Sequence, residues 1–145
     1  MKKLLLFISA AACCLILIGA AHDRSHIPAK PSVTISTTSL EITSANGVTL
    51  KYIVRGYEAK NLSGVDHGSS LNTAPSPEPG KAGCIQSKGV AGTVDPKGKV
   101  APAGTFYCAA YTRNLQSGVK YYARPYLKLQ DGTVIYGTER SITMK

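Results

Sequence analysis

Between residues 32 and 145, no window of the sequence places apolar residues at positions i, i+3, i+4 and i+7, the spacing of an amphipathic helix. The chain also lacks a glycine-rich phosphate loop, a cofactor motif, a metal-ligand spacing and the Gly-x-Ser-x-Gly elbow of hydrolases. These absences argue against a helical domain and against the familiar kinds of catalytic apparatus. We therefore expect an all-β protein that is not an enzyme and that holds neither a metal nor a cofactor.

Acidic residues are few, with eight Asp and Glu against 17 Lys and Arg. They are spread along the chain, so no two stand out as the facing carboxylates of a glycosidase. The stretch VDHGSS does contain the residue types of a hydrolase triad in Asp66, His67, Ser69 and Ser70. Adjacent side chains of a strand point to opposite faces, so Asp66 and His67 should diverge. We predict that His67 is an ordinary strand residue.

The first residues have the three-part pattern of a secretory signal peptide. Lys2 and Lys3 precede an uncharged apolar run of 18 residues from Leu4 to Ala21, which ends in small residues before a charged stretch. We expect a signal peptide over residues 1–21 and an exported chain in the periplasm, on the outer cell surface or secreted. Because 18 apolar residues can also span a bilayer, an uncleaved anchor is the alternative.

The chain has four cysteines. Cys13 and Cys14 are followed by the apolar stretch LILIG, whereas polar residues follow a lipid-carrying cysteine, so a lipid anchor is not expected. Cys84 and Cys108 form a lone pair in an exported chain, and an oxidising compartment favours a disulfide between them. Two buried free thiols are the alternative. A zinc site is not expected, because neither cysteine has a histidine nearby at ligand spacing.

Removal of residues 1–21 would leave 15 basic and 8 acidic residues, a net charge of +7. Such an excess favours acidic surfaces such as glycans, lipid headgroups or nucleic acid. The basic residues form no run of five or more, however, and dispersed charge is more typical of a solvated surface. An exported chain meets little nucleic acid, so none is expected as a partner. Membrane contact is expected only through an uncleaved signal or a lipid anchor.

The rest of the chain is predicted to be a flexible polar leader, residues 22–31, followed by one β-domain, residues 32–145. Val33 with Ile35 and Leu40 with Ile42 indicate one or two strands. Alternation over 48–54 and 105–111 indicates two strands that each bury one face, and residues 62–71 a weaker one. Residues 72–104 are rich in proline and glycine, and we predict a long loop there without continuous strands.

Asp131-Gly132 lies between two alternating runs and predicts a two-residue hairpin turn with positive φ at both positions. This register places Tyr121 opposite Ile142, Tyr126 opposite Gly137, and Arg124 opposite Glu139 as a charge pair. One face then carries the core residues and the other a row of exposed side chains. The core residues are Tyr121, Leu127, Leu129, Val134 and Tyr136, and the row is Tyr122, Arg124, Tyr126 and Lys128.

The hairpin segment resembles the late strands of fibronectin type III-like domains of exported bacterial surface proteins. The matching residues are Leu115, Gly118, Tyr121, Tyr122, Arg124, Tyr126, Gly132, Thr133, Tyr136, Gly137, Glu139 and Ser141. The resemblance implies a single immunoglobulin-like antiparallel sandwich of about seven strands. It also implies that Tyr121 is the tyrosine-corner residue, with its hydroxyl bonded to backbone near Leu115.

Three residues depart from the family pattern. Ser117 replaces a proline, and Arg140 stands where an inward valine is expected, opposite Ala123. Arg140 is accommodated either by extending to the rim or by a bulge near Gly137. Pro125 has no N–H, so one ladder bond must be missing from its strand.

Three functions fit these observations. The first is a binding module for an envelope protein or a glycan, with Tyr122, Arg124, Tyr126 and Lys128 as its possible binding face. Pairing of Arg124 with Glu139 would instead make that row purely structural. The second is an accessory domain without a small ligand that docks to an envelope protein. The third is a secreted enzyme inhibitor that inserts a disulfide-stapled 72–104 loop.

Overall fold

The computed structural model describes residues 32–56 and 65–145 of the chain. The predicted signal peptide 1–21, the predicted leader 22–31 and the segment 57–64 lie outside the described residues. The described part is all-β and contains no helix. Its eight strands are β1 (Thr34–Ser44), β2 (Gly47–Arg55), β3 (His67–Asn72), β4 (Ile85–Gly92), β5 (Thr105–Thr112), β6 (Lys120–Lys128), β7 (Val134–Tyr136) and β8 (Arg140–Thr143).

The strands form one curled antiparallel sheet in the order β1-β2-β5-β4-β3-β6-β7, with β8 also paired to β6. Strand β4 joins the two halves of this sheet. Its first half, Ile85 to Lys88, pairs with β3, and its second half, Gly89 to Gly92, pairs with β5. The change of partner within one strand turns the β1-β2-β5 half relative to the β3-β6-β7 half.

The inner surface of the curled sheet encloses a single apolar core, and the predicted alternation of β2 and β5 is confirmed. On β2 the buried residues are Val48, Leu50, Tyr52 and Val54, and on β5 they are Phe106, Cys108 and Ala110. Leu71, Tyr121 and Leu127 join the same cluster from the other half of the sheet. Burial of each large apolar side chain stabilises the fold by about 1.5–3 kcal/mol.

The prediction of an unstructured loop over residues 72–104 is wrong for its middle. Strand β4 runs through it, and the bridge between Val94 and Val100 closes a short antiparallel turn beyond β4. The prolines of the segment all lie outside β4, at Pro75, Pro77 and Pro79 before it and at Pro96 and Pro102 after it. The interval between them keeps every backbone N–H that strand pairing needs.

The predicted disulfide is also corrected, because Cys84 and Cys108 are both free thiols. Cys84 immediately precedes β4, whereas Cys108 lies opposite Ala91, near the end of that strand. Seven residues of extended chain correspond to roughly 20 Å, whereas a disulfide needs Cα atoms closer than about 7 Å. Cys108 is instead a buried core residue, and burial raises the pKa of its thiol to about 12.

The last hairpin has the predicted register far from its turn and a different register near it. Tyr121 pairs with Ile142, as predicted. Close to the turn Tyr126 pairs with Tyr136, which is one residue short of the predicted Gly137. The turn explains this slip, because its loop has three residues and only Gly132 has positive φ. A three-residue loop that ends in a glycine with positive φ pairs Leu129 with Thr133.

The two registers are joined by an interruption at residues 137–139, between β7 and β8, which lies beside Pro125. Pro125 has no N–H to donate there, and its carbonyl accepts the N–H of Gly137 at 2.9 Å. The missing ladder bond thus falls where the partner strand bulges. Beyond the bulge Arg140 pairs with Ala123, as predicted, and its side chain is exposed.

Candidate functional site

The row predicted on β6 contains two residues that are accessible and two that are occupied by their neighbours. Lys128 is exposed, and Tyr122 is half-buried with the Lys120 ammonium 5.0 Å from its ring centroid. Arg124 and Tyr126 both make contacts within the protein. The row is therefore not a continuous open platform of aromatic and cationic groups.

The Arg124 side chain contacts the bulge at residues 137–139. Its guanidinium lies 4.1 Å from the ring centroid of Tyr136, and its Nε donates to the carbonyl of Gly137 at 3.4 Å. The predicted charge pair between Arg124 and Glu139 is wrong, because the Glu139 carboxylate accepts the backbone N–H of Ser76 at 2.5 Å. The slip near the turn separates these two residues, since neither has a ladder partner at the bulge.

Tyr126 is only 3% exposed, so it cannot act as an open binding surface. Its hydroxyl donates to the Asp66 carboxylate at 3.1 Å. Burial, together with the charge of Asp66, raises the pKa of Tyr126 to about 12. The predicted seat over Gly137 is also wrong: a side chain at Gly137 would meet the Pro125 ring at 2.6 Å and Thr37 of β1 at 3.3 Å.

Tyr121 is buried in the core, and its hydroxyl accepts the backbone N–H of Gln116 at 3.1 Å. The contact is one residue from Leu115, the neighbourhood that the family resemblance indicates. Leu115 is itself buried, and its N–H donates to the carbonyl of Asn46 in the β1–β2 turn. These bonds tie the segment before β6 to both halves of the sheet.

The triad-like residues of VDHGSS do not assemble into a triad. His67 is buried, and its Nδ1 is hydrogen-bonded to the Tyr52 hydroxyl at 2.6 Å. Burial lowers the pKa of His67, which favours the neutral ring. Asp66 accepts from Tyr126, on another element. The hydroxyls of Ser69 and Ser70 are buried without a hydrogen-bond partner among the described residues.

A groove of about 640 Å³ lies on the other half of the sheet, over β1, β2, β5 and β4. Its floor is formed by outward-facing residues of adjacent strands. Lys51 pairs with Ala109, which pairs with Val90, and beside them Ile53 pairs with Tyr107, which pairs with Gly92. Ala109 and Gly92 carry little or no side chain, so the surface is low between their larger neighbours. The alternation of β2 and β5 predicts which of their residues face outward. It does not predict that β4 completes the floor of the groove.

One wall of the groove is the arm, which we define as residues 93–101 between β4 and β5. Val94, Asp95, Pro96 and Lys97 of the arm line the groove. The Asp95 carboxylate accepts the N–H groups of Lys97 and Lys99, both at 2.8 Å. Gly98 has a φ of 82° and donates to the Asp95 carbonyl. Proline after aspartate and glycine at the fourth position favour this turn, which holds the arm in one shape.

Exposed large apolar side chains are concentrated on β4 and the arm. The large apolar residues that are at least a third exposed are Ile85 38%, Val90 76%, Val94 51%, Val100 69% and Tyr111 38%. Four of these five, Ile85, Val90, Val94 and Val100, lie on β4 or the arm, and Val90 and Val94 line the groove. Clustered exposed apolar side chains in a concave surface are typical of a binding site.

The sequence pointed instead to β6, because aromatic and cationic residues are conspicuous there. A usable signal for the groove was present in the proline-free interval that holds the exposed Val90. No cluster of His, Cys, Asp and Glu side chains fit to hold a metal ion occurs within residues 32–56 and 65–145. Within the same residues, no helix is long and apolar enough to cross a membrane.

No protein-family model matches the chain, and no curated protein matches it. Among solved structures, one similar chain is a purple acid phosphatase from seeds of yellow lupin (Lupinus luteus). The identity is 15% and the TM-score 0.49, over 77% of this chain and 19% of the phosphatase chain. This chain thus spans about a fifth of the length of that protein, and the likeness carries no argument about function.

Proposed function

We propose that the chain is an exported, non-catalytic interaction module of a bacterial cell envelope, and that its groove binds a segment of an envelope protein. The observation that carries the proposal is the exposure of Val90 and Val94 beside a groove of about 640 Å³. Exposed aliphatic side chains cost free energy in water, and a partner that covers them recovers about 25 cal/mol per Å² of apolar surface.

Two features support a fibronectin type III-like sandwich as the fold of this module. The chain order β1-β2-β5 on one side and β3-β6 with β7 and β8 on the other follows the two strand sets of immunoglobulin-like sandwiches. The bond from the Gln116 N–H to the Tyr121 hydroxyl is of the tyrosine-corner type. Such domains present loops and sheet surfaces for binding, and the pattern of the first 21 residues favours export.

A protein partner is favoured over a glycan. Sugars are bound by open aromatic faces with convergent polar groups, and the tyrosines of β6 and β7 suited to this are already used. The Arg124 guanidinium lies over the Tyr136 ring, the Lys120 ammonium lies over the Tyr122 ring, and Tyr126 is buried. Beside the half-buried ring of Tyr107, the groove offers valine and isoleucine side chains, which pack against apolar side chains of a peptide. The inhibitor alternative used the 72–104 loop with a disulfide as its staple, and the free thiols of Cys84 and Cys108 do not support that staple.

Site-specific photocrosslinking in cells tests this proposal. A photoreactive amino acid is placed at Val90 or Val94, and in matched proteins at Tyr122 or Lys128 on the other half of the sheet. We expect one envelope protein to be crosslinked from Val90 and Val94 and not from Tyr122 or Lys128. Crosslinks from the β6 positions alone, or equal crosslinking from both sides, would exclude the groove as the binding site. Binding of the purified chain to a glycan array through Tyr122 would favour a glycan.

A further inference from the structure

Lys51 in the floor of the groove is paired with Glu41, whereas three lysines of β4 and the arm make no ion pair among the described residues. The described residues contain two ion pairs, Lys51 with Glu41 at 2.8 Å and Lys81 with Glu78 at 2.9 Å. Neither pair involves Lys88 at the middle of β4, or Lys97 and Lys99 in the arm, and all three are exposed. The side of the groove built by β4 and the arm is therefore positively charged.

Asp95 is the one carboxylate of β4 and the arm, which therefore keep an excess of lysine. Asp95 directs Oδ1 at the N–H groups of Lys97 and Lys99. The same bonds fix the backbone from which these two lysine side chains extend, and Lys97 lines the groove. Two cations on a fixed turn lose less conformational freedom on binding than two cations on a flexible loop.

Apolar and cationic groups thus occur together at one concave surface. We propose that the groove selects an extended acidic peptide segment, with valine, leucine or isoleucine side chains entering the groove and neighbouring Asp or Glu side chains meeting Lys97 and Lys99. The proposal rests on the proposed function and names the chemistry of its partner. Charge complementarity of this kind sets orientation and the rate of association, and apolar contact supplies most of the affinity.

A peptide fits the site better than an anionic membrane does. A membrane surface requires a convex or flat face with basic residues that point the same way. Here Val90 and Lys51 lie in the floor, and Val94 and Lys97 stand in a wall above it. A single extended chain can follow such a groove and place alternate side chains on its two sides.

The test is selection of a phage-displayed library of random linear peptides on the purified chain, followed by binding measurements on the enriched peptides. We expect the enriched sequences to combine Val, Leu or Ile with adjacent Asp or Glu. The double variant Lys97→Glu/Lys99→Glu should bind the selected peptides roughly tenfold more weakly. The matched control Lys120→Glu/Lys128→Glu changes the net charge equally on the other half of the sheet, and its affinity should stay within about twofold. Binding should also weaken as salt is raised.

The outcomes separate this proposal from the proposed function. If Val90→Asp/Val94→Asp abolishes binding but Lys97→Glu/Lys99→Glu does not, the groove is the site and the acidic partner is wrong. If Val90→Asp/Val94→Asp leaves binding unchanged, or if no peptide is enriched, both proposals fail. Attachment of the chain to phosphatidylglycerol vesicles in place of peptides would overturn the choice of a peptide. Both valines are exposed, so their substitution should leave the fold intact, which thermal unfolding of each variant checks.

Discussion

Gly89 of β4 lies directly against the buried hydrogen bond between Tyr52 and His67. A Cβ at Gly89 would overlap the Tyr52 hydroxyl and Nδ1 of His67. Both atoms are buried and joined at 2.6 Å, so neither can move away without breaking the bond. Gly89→Ala should therefore destabilise the fold by overpacking, about 1–3 kcal/mol, and by leaving a buried polar group unpaired, about 1–3 kcal/mol.

The expected total for Gly89→Ala, about 2–6 kcal/mol, is a large part of the 5–15 kcal/mol typical of a domain. Gly92 on the same strand is the matched control. The nearest atom to a Cβ there is the Tyr107 carbonyl oxygen, at 4.0 Å. Gly92→Ala should be neutral or stabilising by up to about 1 kcal/mol, because alanine restricts the unfolded chain.

Urea denaturation of the wild type and the two alanine variants measures both effects. In a Tyr52→Phe background the hydroxyl that the new methyl would meet is gone, so the cost of Gly89→Ala should fall. Equal stability of Gly89→Ala and Gly92→Ala, or an undiminished cost in the Tyr52→Phe background, would refute the packing account of this cluster.

Three further predictions concern single groups. Burial lowers the pKa of His67 below its ordinary value of 6.5. As the pH falls, this histidine is therefore protonated in the unfolded chain before it is protonated in the folded chain. The stability that His67 contributes should be complete above pH 6.5 and be lost below it, by at most about 1.4 kcal/mol per pH unit; an equally steep loss in His67→Gln would contradict this. Ser76 has a φ of 57°, a conformation that costs a non-glycine residue about 1–2 kcal/mol. Ser76→Gly should therefore raise the denaturation midpoint. A lowered midpoint would argue against strain at this position. Without reductant, Cys84 should react with a thiol reagent in the folded protein and Cys108 only on unfolding, and mass spectrometry that finds both protected after unfolding would show a disulfide.

The sequence was sufficient for the local parts of the fold. Alternation identified the buried faces of β2 and β5, because each strand keeps one face against the core throughout its length. The hairpin was found from Asp131-Gly132, but not its loop length, because the same two residues suit a two-residue and a three-residue turn. The Asp131 carboxylate accepts the N–H of Thr133, which holds the longer loop.

What could not be predicted depends on contacts between distant segments. Three such contacts join residues that share no sequence pattern. They are the bond between Tyr52 and His67, the hydrogen bond from Ser76 to Glu139 and the contact of Thr37 with the bulge. Strand β4 was missed because glycine and proline around it suggested a loop. Its pairing with both β3 and β5 is a property of the whole sheet, and the groove exists only because of that pairing.

The most direct test of the account is methyl NMR of the chain titrated with a peptide from the partner segment captured by crosslinking. If the groove is the binding site, the methyl signals of Val90, Val94 and Val100 shift with a single saturation curve. The signal of Val119, half-buried on the other half of the sheet, should stay unchanged. Shifts confined to the surroundings of Tyr122 and Lys128, with the three valines unaffected, would contradict the groove as the binding site.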